Sequence, residues 1–364
     1  MIKQWLKSFL QLKILPRFYN TSLKKEVDKN KVIFADAHNN SIPYSMVALH
    51  EKFQNEGYYI EDFFLDYNHS SPFKVMREMI RFMRSYATAK YVIICDYYLP
   101  VSSANKRADT KVIQIWHACG AFKKTGYDAD DDISKSYKGS PTKNFDLVAV
   151  TSPDCIKPLA GAFLLPEERI EPLGSCRTDC LFDEKYIQSC KDKFYAAYPK
   201  AKGKKLVMWA PTFRGNAGSP SIVGEETIRE LQSKLGEEWF VIIKPHLHLK
   251  SIESNCTLST EELLPVVDVM ISDYSSVIFE YLLFDKALVL FVPDFDEYYS
   301  DRGFYLDYSE IPGNIVKEAD KLPDAIIKSP DTIDKDKLIR FRKKYLSACD
   351  GNSTERIFNR IIHL

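Results

Sequence analysis

From residue 31 onward the chain alternates two textures. Short apolar, β-branched runs predict strands at 31–35, 62–65, 90–95, 111–115 and 146–150. Between the first of them lie stretches with helical spacing, at 43–53 and 73–85. After a boundary at 195–205, where Pro199, Gly203 and several lysines interrupt the pattern, the alternation restarts. Strands follow at 206–210, 240–244, 267–271 and 287–292, with helices at 225–235 and 277–284. Strands that alternate with helices build a mostly parallel sheet, so the fold class is α/β with two such domains. The reading divides the chain into a segment 1–25, domains 26–200 and 201–340, and a closing helical segment 341–364.

Segment 1–25 has its own pattern. Ile2, Trp5, Leu6, Phe9 and Leu12 share a helical face, with Lys3, Lys7 and Gln11 opposite, and its six lysines and arginines meet no acid. Two readings are open: an amphipathic helix on an anionic membrane surface, or a helix packed on the protein's own body. No apolar run reaches the ~20 residues needed to span a bilayer.

Composition narrows the classes. At 364 residues, about two domains are expected. Lysine plus arginine equals aspartate plus glutamate, 50 against 50, so no global charge favours nucleic acid. Eight scattered cysteines form no CxxC pair and no zinc spacing, and no signal-peptide pattern opens the chain. Reduced thiols in a cytoplasmic protein are expected.

Candidate chemistry gathers at strand ends, where open α/β sheets place their ligands. Strand 111–115 runs into Trp116-His117, followed by Lys123 and Lys124. Strand 206–210 ends in Pro211-Thr212-Phe213-Arg214, an arginine suited to phosphate. Strand 240–244 ends in Pro245-His246-Leu247-His248. Strand 267–271 leads through Asp273-Tyr274-Ser275-Ser276 into a helix, whose orphan N–H groups and dipole favour an anion; simple helix capping by the serines is the alternative. Ser353 opens a last helix after Asp350-Gly351-Asn352. Asp130, Asp131 and Asp132 form either a hard-cation cluster or an exposed acidic loop.

Taken jointly and in order, IWHACGAFKKTG, MWAPTFRG, IKPHLHL, ISDYSSVIFEYLLFDKALVLFVPDFDEYYSDRGFYLDY and DGNSTERI resemble the CDP-glycerol glycerophosphotransferase family of teichoic acid primases and polymerases. The resemblance spans about residues 30–360. It implies a GT-B architecture of two Rossmann-like domains facing across a cleft, with the CDP donor held mainly by the second. It implies transfer of glycerol phosphate or ribitol phosphate from a CDP-polyol to a lipid-linked glycan or polymer, with release of CMP, at the inner face of the cell membrane. By the same resemblance His117 and His246 are catalytic, and Arg214, Ser275, Ser276 and Ser353 bind the donor diphosphate. Asp273, Lys123, Lys124, Thr212 and His248 stand nearby in support. Two departures touch the site: Ala118-Cys119-Gly120 replaces a common Gly-Thr-Pro, and Lys244-Pro245-His246 departs from a His-Pro order.

The chemistry fits. A histidine near neutrality can take the acceptor's proton, and serine hydroxyls, helix termini and an arginine can balance the diphosphate with no metal or other cofactor. A glycosyltransferase using a nucleotide sugar, and a non-catalytic glycolipid- or polymer-binding scaffold, are the alternatives.

Overall fold

The computed structural model describes residues 2–130, 132–216, 219–245 and 253–364. The chain forms two units: Met1–Asp179 with Tyr345–Leu364, and Cys180–Lys344.

In the first unit all neighbouring strands are parallel. They are β1 (Asp28–Asp36), β2 (Tyr59–Phe64), β3 (Ala89–Ile94), β4 (Lys111–Gln114), β5 (Leu147–Ala149) and β6 (Ile170–Glu171), in the order β2-β1-β3-β4-β5-β6. The near-continuous burial of β3 and β4 is what a parallel sheet covered on both faces demands, and it explains why these strands read as unbroken apolar runs. The chain leaves β1 for β2 on one side and returns to β3 on the other. The carboxyl ends of β1 and β3 therefore flank a topological switch point, the usual ligand crevice of this sheet type.

The second unit repeats the plan. Strands β7 (Lys205–Ala210), β10 (Trp239–Ile243), β11 (Val269–Ser272), β12 (Ala287–Phe291) and β13 (Asn314–Val316) stand in the parallel order β10-β7-β11-β12-β13. A small antiparallel hairpin, β8 (Arg214–Asn216) with β9 (Ser219–Ser221), follows β7. Here the switch point lies between β7 and β11.

The units differ from the expected division at both ends. The first boundary falls at Asp179 rather than near residue 200. Helix Glu184–Ala197 belongs to the second unit, where Phe194 and Tyr198 lie against Phe240 of β10 at ring distances of 6.2 and 6.1 Å. Helix Ser353–Ile362 returns to the first unit instead of closing the second. Its Ile357, Phe358 and Ile361 enter the core with Phe34, Phe53 and Ile93, and Phe358 meets Phe53 edge-on at 4.9 Å. The single helix expected at 225–235 is two, Glu225–Arg229 and Leu231–Leu235.

The N-terminal segment is helical through Ile2–Phe9, a π-helical turn Leu10–Ile14, and Leu15–Thr21. Ser8, Gln11, Leu15 and Tyr19 are its buried side. Gln11 donates to the carbonyls of Ser102 and Ser140 at 3.1 and 2.7 Å and accepts from the Tyr137 hydroxyl, while Lys138 N donates to Ser8 Oγ at 3.0 Å. Trp5, Leu6, Phe9 and Leu12 are exposed, with Trp5 at 64% and stacked on Phe9 at 5.3 Å. Over its first half the segment thus packs on the body through Ser8 and Gln11 and leaves Trp5, Leu6, Phe9 and Leu12 outward, while Leu15 and Tyr19 bury its second half. Among the described residues no helix is long and apolar enough to cross a membrane.

Candidate active site

The first unit collects chemistry where β1, β3 and β4 end. Gln114, the last residue of β4, is fully buried. Its side chain donates to the Asp96 carbonyl at 3.1 Å and accepts from Trp116 N at 2.9 Å. These two bonds tie the end of β3 to the turn after β4. They hold Trp116 at φ +52°, a region that bulky L-residues rarely adopt and that costs about 1–3 kcal/mol. The strained turn presents His117, 46% exposed. Its Nδ1 lies 3.2 Å from the Cys95 carbonyl and 3.5 Å from Asp96 Oδ2. The carbonyl can only accept, so Nδ1 carries the proton and Nε2 keeps a lone pair, with no partner among the described residues. Arg177 donates to the His117 carbonyl and, at 3.3 Å, to Ser45 Oγ. A histidine so held is built to accept a proton at Nε2.

In the second unit the ends of β7, β11 and β12 converge on Arg214. Its Nε and Nη2 donate to Asp294 at 2.6 and 3.1 Å, and Nη1 reaches Asp273 Oδ2 at 2.9 Å and the Thr212 carbonyl at 2.7 Å. The guanidinium lies 4.8 and 5.0 Å from the ring centres of Tyr274 and Tyr298, which stack on each other at 3.8 Å. Burial opposes the arginine's charge, but the hydrogen bonds and charges of Asp294 and Asp273 outweigh it and push its pKa above the ordinary value. Asp273 also accepts from Thr212 N at 2.8 Å and Tyr274 N at 2.6 Å. Arg214, expected on the donor phosphate, is therefore committed to two carboxylates, and Asp273 is part of the same lock.

The turn that follows keeps its donors. Ser275 and Ser276 are half-buried, and Ser276 stands at the N-cap of Val277–Tyr281 without a side-chain capping bond. Simple capping does not use that hydroxyl. The Thr212 hydroxyl is buried with no partner among the described residues, a second polar group at the same switch point.

Ser353 belongs to the other unit, the first, and is fully buried there, with Oγ donating to the Ala348 carbonyl at 3.3 Å. The orphan N–H groups expected to meet a phosphate are taken by Asp179, which accepts from Ser353 N at 3.0 Å and Thr354 N at 2.7 Å. Lys123 is half-buried and Lys124 exposed in the loop beyond His117. In the acidic run, Asp132 accepts from Thr125 Oγ1 and Gly126 N, both at 2.9 Å, and Asp130 pairs with Lys135 at 3.2 Å. Asp131, His246 and His248 lie outside the described residues. All eight cysteines are free thiols.

Sequence reasoning passed over Asp36, His38, Asp96 and Asp179. The first three were within reach of the rule that selected His117, because Asp36 ends β1 and Asp96 follows β3 by two residues. Asp179 carried no local signal.

Comparison with known proteins agrees with this architecture. The chain is 33% identical over 294 residues to the teichoic acid ribitol-phosphate primase of Bacillus spizizenii, covering 74% of each chain. It is 31% identical over 298 residues to the ribitol-phosphate polymerase TarK of Staphylococcus aureus, covering 77% of this chain and 58% of that one. With the teichoic acid glycerol-phosphate primase of Bacillus subtilis the identity is 28% over 294 residues, 76% of this chain and 74% of the relative. The chain thus spans about three quarters of the primases and a smaller share of the polymerases. The fold matches the solved wall teichoic acid polymerase TagF with a TM-score of 0.74 at 22% identity, over 99% of this chain and 97% of that one. The UDP-GlcNAc 2-epimerase from Neisseria meningitidis follows with a TM-score of 0.56 at 12% identity, over 92% and 99%. These likenesses make the two Rossmann-like sheets a GT-B-type fold. Residues 17–363 match the model of the CDP-glycerol:poly(glycerophosphate) glycerophosphotransferase family, and the chain belongs to that family.

Proposed function

We propose that the protein transfers a polyol phosphate from a CDP-polyol to a lipid-linked glycan or polymer in teichoic acid synthesis, with His117 as the base. In this reaction His117 Nε2 takes the proton of the acceptor hydroxyl, whose oxygen attacks the β-phosphorus. The bond from that phosphorus to the bridging oxygen breaks, and CMP leaves with the electron pair. The Ser275 and Ser276 hydroxyls and the orphan N–H groups of their turn donate to the phosphoryl oxygens, where such donors contribute most in the transition state. With Arg214 tied to Asp273 and Asp294, its part is to hold this turn rather than to touch phosphate. His246 is assigned a hydrogen bond to the donor, and no metal is required. Ribitol phosphate is the preferred group, because the ribitol-phosphate relatives stand at 33 and 31% identity and the glycerol-phosphate primase at 28%.

The observation that carries the reading is His117, fixed at a switch point by its Nδ1 with Nε2 left to act. The nucleotide-sugar and scaffold alternatives are not favoured by the relatives. The outward Trp5, Leu6, Phe9 and Leu12 suit an anionic lipid surface, which would keep the protein at the inner face of the membrane beside its acceptor.

The test is CMP release from CDP-ribitol and CDP-glycerol with candidate lipid acceptors, in EDTA and with added Mg²⁺. His117→Ala should lower turnover by about 10²–10⁴ and leave donor affinity nearly unchanged. His246→Ala should lower both. A His117→Ala protein that melts normally and turns over at the wild-type rate removes the base assignment.

A further inference from the structure

The carboxylate of Asp96 serves two imidazoles. Its Oδ2 lies 3.5 Å from His117 Nδ1 and 3.6 Å from His38 Nε2. Its other oxygen, Oδ1, accepts from Tyr97 N at 2.6 Å and so fixes the rotamer of the side chain. The Asp96 carbonyl is held in turn by buried Gln114.

His38 is placed with equal care. Buried Asp36, at the end of β1, accepts with Oδ2 from His38 N at 2.8 Å, Asn39 N at 2.8 Å and Asn39 Nδ2 at 2.9 Å. Its Oδ1 receives the Cys95 thiol at 3.8 Å. The loop after β1 is thereby pinned to the end of β3, and His38 is carried across the switch point to Asp96. The charged and titratable groups about Asp96 are then His38 and Asp36 from β1 and its loop, Cys95 on its own strand, His117 from β4, and Arg177, which holds the His117 carbonyl.

We propose that Asp96 is the positioning residue of His117 and that His38 is a second imidazole bound to the same carboxylate. The proposal rests on the transferase reading for its kinetic consequence, but not for the coupling of the three side chains. The carboxylate adds its charge to the Cys95 carbonyl in favouring the Nδ1–H form of His117, which directs the Nε2 lone pair outward, and it faces the imidazolium that forms when the acceptor's proton arrives. On the other side it selects the Nε2–H form of His38, and that ring keeps the carboxylate between the two. A purely structural Asp96 would act through its bond to Tyr97 N alone.

Asp96→Asn separates these roles, since its amide oxygen can still accept from Tyr97 N while the charge is gone. Histidine labelled with ¹⁵N in its ring gives seven imidazoles, of which His117 and His38 are assigned by loss of signal in His117→Asn and His38→Gln. Wild-type His117 should show the Nδ1–H tautomer, and Asp96→Asn should shift its ring-nitrogen resonances and lower the share of that form, since the Cys95 carbonyl then acts without the carboxylate's charge. Turnover should fall about ten- to a hundredfold, a share of what a general base supplies, with the KM for the CDP-polyol unchanged within about twofold. Asp96→Glu should recover part of the loss. An Asp96→Asn protein with an unchanged His117 spectrum and unchanged turnover overturns the proposal. If Asp96→Asn does not fold, His38→Gln reads the same carboxylate from its other side, and unmoved His117 resonances then overturn it. A wild-type protein that transfers from no CDP-polyol, while the tautomer still responds to Asp96→Asn, supports the coupling and refutes the transferase reading instead.

Discussion

Arg214→Ala decides between an arginine that binds phosphate and one that locks the sheet. The guanidinium and the Asp273 and Asp294 side chains are 14%, 6% and 14% exposed, so all three sit largely out of water. Removing the cation leaves two buried carboxylates facing each other with no counter-charge. Breaking a buried pair in this way typically costs about 3–5 kcal/mol. For a unit of this size that is a fall of roughly 6–20 °C in its melting transition. An arginine whose only partner was the donor diphosphate would instead lower CDP affinity by about 1.5–3 kcal/mol and leave stability alone.

The pH dependence has a definite sign. Burial alone would raise the Asp294 carboxyl, but the hydrogen bond and charge of Arg214 outweigh it and hold it below the usual carboxylate range. A depressed folded-state pKa adds stability above the unfolded value of about 3.9, and this is lost as pH falls through the folded value. The gap between wild type and Arg214→Ala should be widest near neutrality and should close below about pH 4. Urea denaturation followed by tryptophan fluorescence reads it, because buried Trp209 and Trp239 lie in this unit. Calorimetry with CDP on the same samples supplies the second axis. Arg214→Lys keeps the charge but loses the fork, and should fall between. An Arg214→Ala protein with the wild-type midpoint and more than about tenfold weaker CDP binding refutes the lock.

Three further outcomes are expected. Asp179→Ala strips the cap from Ser353 N and Thr354 N and should lower the stability of the first unit by about 0.5–2 kcal/mol, measured by thermal melting, while CDP affinity stays constant. Trp5→Glu with Phe9→Glu should leave the melting temperature unchanged, since both rings are exposed, and weaken binding to anionic vesicles by roughly tenfold or more in a sedimentation assay. Gln114→Leu leaves the Asp96 carbonyl and Trp116 N without their side-chain partner and should cost about 1–3 kcal/mol for each group. Released from φ +52°, Trp116 should relax and take His117 with it, so turnover should fall by more than the stability loss explains.

What the chain discloses depends on whether a feature is local. A strand buried on both faces must be apolar throughout, and therefore β3, β4, β7, β11 and β12 stand out, whereas the two-residue β6 and the three-residue β13 are too short to form a pattern. His117 and the Ser275-Ser276 turn were legible because a strand end is itself a local event, and the same logic reaches Asp96 once it is applied to β3. Polar partners are different. Arg214 and Ser353 have the side chains that a diphosphate calls for, yet what each one binds is decided by residues 80 and 174 positions away, Asp294 and Asp179. A donor is available to a ligand only if the fold has not already given it an acceptor, and no spacing rule reports that allocation. The domain boundary follows the same principle. Pro199 and Gly203 mark a turn, which is a backbone property, but membership of a unit is set by what a helix buries, and Phe194 buries against Phe240. Where a candidate residue is an arginine or a serine, the acid that competes with the ligand has to be sought at the end of every neighbouring strand before a binding role is assigned.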